Sequence, residues 1–161
     1  MSKRFRYALQ PVLLARTWAL DALKLELGER NASLAELEQQ RRAIEHESAA
    51  VNQAWHQQSK VAGNFNVDGF ATVIAYLGQL GGQAQRKGEE IALAASERDQ
   101  LIERIVAEQR GVEAVEEHRD KMFAEFRKEE NSAQFKAADD HWSTLHGTGH
   151  DHGVEKHEQQ F

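Results

Sequence analysis

Apolar residues recur along this chain at alternating intervals of three and four. Counted from Leu9, eleven of the sixteen positions on this spacing up to residue 62 are apolar, among them Leu13, Leu20, Leu27, Leu34, Ile44, Val51 and Trp55. A second run from Phe70 to residue 133 has fourteen of nineteen apolar, including Leu77, Leu80, Leu101, Val112 and Phe126. A period of about 3.5 residues held this long keeps one narrow stripe of two helices in contact. The pattern therefore predicts an all-α chain: a long antiparallel two-helix coiled-coil hairpin, with a disordered C-terminal tail. The first helix is expected over about residues 8–62 and the second over about 70–142. Pro11 suits a first helical turn, where a missing N–H costs nothing. At about 1.5 Å per residue the first helix would be roughly 80 Å long.

Between the runs lies "GNFNVDG", residues 63–69. A short polar linker between long helices makes them antiparallel neighbours. Asp68 is the expected N-cap, since its carboxylate can accept from orphan N–H groups. A turn centred near Asn66 would set Trp55 against Leu77 and Gly78, Val51 against Gly81, and Arg16 against Glu116. It would leave the second helix beyond about residue 131 without a partner. The segment "GQLGGQAQRKG" carries Gly78, Gly81, Gly82 and Gly88, each costing a helix roughly 1 kcal/mol relative to alanine. Either the helix breaks there, or the small residues make room for a bulky neighbour such as Trp55.

Composition narrows the function classes. Charged residues make up 29% of the 161 and aromatics 7%, with one proline and no cysteine. This is a long-helix composition, and it rules out disulfides and thiolate metal sites. A net charge of −6 opposes a broad nucleic-acid footprint. No apolar run reaches the roughly 18 residues of a membrane span, and Gln10, Pro11 and Arg16 interrupt the basic N-terminal stretch. The expected location is the cytoplasm, without membrane insertion. No phosphate loop follows a strand, and the carboxylates lie on solvated faces, so no catalytic residue is assigned and no cofactor is expected.

From Ser143 the rhythm stops. Residues 143–161 read as a flexible tail containing His146, His150, His152 and His157. A helical His146–His150 pair is opposed by Gly147 and Gly149, so no metal site is assigned.

The chain ends carry the remaining chemistry. Lys3, Arg4, Arg6 and Arg16 precede the first acid, Asp21, and Phe5 and Tyr7 alternate with Arg4 and Arg6. This is either a solvated, fraying end or a docking surface for an acidic or cleft-like partner. "FAEFRKEENSAQFKAADDHW" places Phe126, Phe135 and Trp142 where the turn at Asn66 leaves no partner helix, which suggests contact with another protein.

The opening "RFRYALQPVLLAR", Ala54 and Trp55 before the tip, "YLGQL" at residues 76–80 and "FRKEENSAQFKAADD" near the end resemble, in that order, the FliJ family. These are central stalk proteins of the flagellar and type III secretion export ATPase. The likeness covers roughly residues 3–142, and Lys136, Asp139 and Asp140 match the family's usual ending of a lysine and an acidic pair. The resemblance implies a non-enzymatic stalk whose terminal end enters a hexameric ATPase ring and which also engages the cytoplasmic domain of an export gate membrane protein. Export chaperones are further implied partners, and the implied location is peripheral, at the cytoplasmic face of the inner membrane. Carried onto this sequence, the ATPase contacts are Arg4, Phe5, Arg6, Tyr7, Phe126, Arg127, Lys136, Asp139 and Asp140. The export-gate contacts are Tyr76, Leu77 and Leu80. The alternative is a generic coiled-coil tether or homodimeric scaffold without an ATPase partner. A membrane-surface or nucleic-acid-binding hairpin is disfavoured by the charge.

Overall fold

A computed structural model of the chain describes residues 3–63 and 65–147. They form two helices, α1 (Gln10–Ala62) and α2 (Val67–Gly147), and the described residues contain no strand. The chain is all-α, as the spacing requires. The most buried side chains are Leu13, Leu20, Leu34, Leu80, Leu101 and Val112. Each stands on the three-four spacing, and each contributes roughly 1.5–3 kcal/mol by leaving water. Two compact units can be distinguished. A central unit comprises residues 15–112, and a terminal unit comprises the N-terminal residues through Leu14 together with α2 from Glu113 onward.

In the central unit α1 and α2 form an antiparallel hairpin whose turn is shorter than "GNFNVDG" suggested. Gly63 follows the last residue of α1 with φ of 64°, the left-handed conformation that ends a helix and that glycine adopts without strain. Asn66, not Asp68, caps α2: its carbonyl accepts from Phe70 N–H at 3.0 Å and its Oδ1 from Gly69 N–H at 3.3 Å. Asp68 lies in the first helical turn, where its charge complements the helix dipole. The pairs across the hairpin centre the turn near position 64 instead of Asn66, and facing partners move by about twice that shift.

The register is corrected accordingly. Trp55 packs not on Leu77 and Gly78 but in an aromatic triangle with Phe70 and Phe65, at ring separations of 6.0 and 6.5 Å. Arg16, expected opposite Glu116, lies against Gly111. Arg41 lies against Gly88, and Arg30 Nη1 meets Glu97 Oε2 at 2.8 Å. Thus the three arginines on the stripe of α1 each cross to a glycine or an acid on α2. Gly81 lines a shallow groove with Ile44, Glu45 and Ser48. A β-carbon at Gly78 or Gly81 would meet nothing within 4 Å, so these glycines make room for no neighbour. Nor do they break the helix: α2 runs through them, held by Leu77, Leu80 and Ala84 on the packed stripe.

In the terminal unit α2 continues to Gly147, beyond the end expected at residue 142. Its last turns are secured locally. Thr144 Oγ1 donates to the Asp140 carbonyl at 2.8 Å, and the His146 ring stacks on Trp142 at 4.1 Å with Nδ1 3.0 Å from the Trp142 carbonyl. His150, His152 and His157 lie outside the described residues.

Candidate docking site in the terminal unit

Residues 3–7 precede α1 as a non-helical arm. Its side chains alternate as an extended backbone demands. Phe5 and Tyr7 are half-buried, while Lys3, Arg4 and Arg6 are exposed. Phe5 inserts between Phe123 and Phe126, with ring centroids 5.2 and 5.4 Å away. The Tyr7 hydroxyl lies 2.7 Å from His118 Nδ1 and 3.4 Å from the Val115 carbonyl, to which it can donate. The Gln10 N–H donates to the Tyr7 carbonyl at 3.2 Å, turning the arm into α1. Pro11 follows in the first turn, as its chemistry requires.

The aromatics named as partner contacts are therefore occupied within the chain. Phe126, expected to lack a partner, has Phe5. Arg127 sits with its guanidinium carbon 5.8 Å from the centre of the Phe123 ring, a cation–π contact. What faces water is the charged side of the arm. Among the described residues, Arg4 and Arg6 meet no carboxylate within ion-pair distance. Together with Arg119 they line an open concavity of about 540 Å³, completed by Phe5, Tyr7 and Gln10.

Further along α2 every residue from 131 to 147 is exposed, including Lys136, Asp139 and Asp140. Phe135 and Trp142 are 79% and 60% exposed, with no helix among the described residues facing them. His118, Arg119 and Phe123 were not among the expected contacts. No sequence signal marked them, because Tyr7 meets His118 only in the register that the structure shows.

The residues assigned to an export gate belong to the central unit and differ among themselves. Leu80 is 3% exposed and Leu77 half-buried on the packed stripe. Tyr76 is exposed and its hydroxyl donates to Glu47 Oε1. That hydrogen bond, helped by desolvation and by the carboxylate's charge, holds the Tyr76 phenol above its ordinary value of 10.0.

Among the described residues no helix is long and apolar enough to cross a membrane, and no group of three His, Asp or Glu side chains could hold a metal ion. The fold and the exposed surfaces define a helical coiled-coil protein whose chemistry is presented on outward side chains. The family model described as "Flagellar FliJ protein" matches residues 5–149, most of the chain. The chain belongs to the FliJ family. No curated protein and no solved structure matches it.

Proposed function

We propose that this chain is the central stalk of a flagellar or type III protein export ATPase and is not itself an enzyme. Its terminal unit enters the hexameric ATPase ring, and the exposed Tyr76 region of the central unit engages the cytoplasmic domain of the export gate. The protein acts in the cytoplasm, peripheral to the inner membrane through the export apparatus, and hands on export chaperones. The observation that carries this reading is the anchored arm. Phe5 and Tyr7 fasten it to α2, and Arg4 and Arg6, which alternate with them, are left exposed. Family membership supplies the context in which such an arm meets an ATPase.

Co-purification with the export ATPase and with the gate's cytoplasmic domain tests it. The Arg4→Glu, Arg6→Glu double variant should lose ATPase capture and stimulation at unchanged helicity. Tyr76→Ala should keep ATPase capture and weaken gate capture. The reverse pattern would overturn the assigned polarity, and failure of the wild-type chain to capture the ATPase would overturn the stalk reading.

A further inference from the structure

The arm presents its cations in a particular geometry. Arg4 and Arg6 are two residues apart on a non-helical segment with alternating burial, so their backbones are about 6.6–7 Å apart. Arg119 projects from α2 into the same concavity, half-buried. Among the described residues it pairs with the adjacent Asp120, loosely, at 3.6 Å. Arg4, Arg6 and Arg119 thus border one hollow, and among the described residues no carboxylate lies within ion-pair reach of Arg4 or Arg6. The arm is held by rings and a hydrogen bond at Phe5 and Tyr7, so the backbone that carries Arg4 and Arg6 is placed before any partner arrives, which removes part of the entropic cost of binding.

We propose that Arg4, Arg6 and Arg119 form a receptor for an acidic peptide segment carrying at least two carboxylates. The spacing favours this chemistry. Acidic residues three or four apart on a helix have Cβ atoms about 5–6 Å from each other, and those two apart on a strand have backbones about 7 Å apart, both close to the backbone spacing of Arg4 and Arg6. The planar guanidinium fork matches a carboxylate through two parallel N–H···O bonds. Two cations carried two residues apart on the arm can each meet a separate carboxylate, whereas a single phosphate offers one centre. Phe5, Tyr7 and Phe126 are then positioning residues that hold the receptor open. In taking the acidic segment from the export ATPase, the inference rests on the stalk reading. In its chemistry it stands apart.

The test is fluorescence anisotropy of a labelled oligoglutamate peptide titrated with the full chain. Binding should weaken steeply with salt, because screening acts over about 8–10 Å at ordinary ionic strength. Arg4→Glu with Arg6→Glu should lower affinity at least about tenfold, the loss expected when charge-assisted hydrogen bonds are removed. Arg119→Glu should do the same, while Arg110→Glu, an exposed arginine of the central unit, should leave affinity within about twofold of wild type. An equal loss in Arg110→Glu would overturn the receptor, since net charge alone would then explain binding. Competition by tripolyphosphate at lower concentration than by unlabelled oligoglutamate would also overturn it, in favour of a phosphate site. If the ATPase captures wild type and the arm variant equally, the receptor fails and the stalk reading stands. If the ATPase captures neither, the stalk reading fails and the oligoglutamate titration still decides the receptor.

Discussion

Arg16 reaches across the central hairpin to Gly111, and a β-carbon on that glycine would lie 2.7 Å from Arg16 Nη1. The same relation recurs at Arg41 and Gly88, where the nearest approach would be 3.2 Å. Between them Arg30 meets Glu97. Cations on a coiled-coil stripe are costly unless their heads reach water or a partner. Here glycine leaves space for the guanidinium to pass over the facing backbone while the aliphatic stem packs.

The glycines of α2 should accordingly divide into two kinds. Gly78→Ala and Gly81→Ala place a methyl in open space and should each stabilise the protein by about 0.5–1 kcal/mol through helix propensity. Gly111→Ala should gain less, because Arg16 must first move aside. Urea denaturation followed by circular dichroism at matched conditions measures the three, and an equal gain at Gly111 would show that Arg16 yields without cost.

The packed stripe itself is tested by a pair of leucines on α2. Leu101 is 4% exposed and Leu93 is 63% exposed. Leu101→Asp should cost about 3 kcal/mol or more, since it buries an unpaired carboxylate. Leu93→Asp should fall within about 0.5 kcal/mol of wild type. Thermal melts of both variants distinguish the stripe from the outer face directly.

At the tip, Asn66→Ala removes the side-chain acceptor for Gly69 N–H. The expected loss is about 1 kcal/mol, typical of an N-cap. Asp68→Asn removes only a favourable charge in the first turn and should cost a few tenths of a kcal/mol. Hydrogen exchange at Gly69 and Phe70 should quicken in the first variant and stay near wild type in the second.

The Tyr76–Glu47 bond predicts a titration. A phenol whose value is raised in the folded protein contributes stability below its ordinary value of 10.0, and that contribution is lost as pH rises through the folded value. In a Tyr7→Phe background, Tyr76 is the sole tyrosine. Its phenolate absorbance should develop at higher pH than in a free tyrosine, and Glu47→Gln should bring the midpoint down toward the ordinary value.

The three-four rhythm alone determined that the chain is two long helices and the stripe from which the buried side chains are drawn. Leu13, Leu20, Leu34, Leu80, Leu101 and Val112 all stand on it, because period and burial are set by the geometry of one helix against another. The order of short motifs from "RFRYALQPVLLAR" to "FRKEENSAQFKAADD" was likewise enough to point to the FliJ family. Register was not legible. It depends on where the two helices stop and start, at Gly63 and at the Asn66 cap, and a polar turn such as "GNFNVDG" offers several glycines and caps of similar local energy. Only the tertiary structure could therefore show that Trp55 meets Phe70, that Arg16 meets Gly111, and that Tyr7 meets His118. From that pairing it follows that Phe5 and Phe126 hold the arm while Arg4, Arg6 and Arg119 face outward. A sequence records which side chains are present, but whether a ring serves as an anchor or as an exposed contact depends on what the register places opposite it.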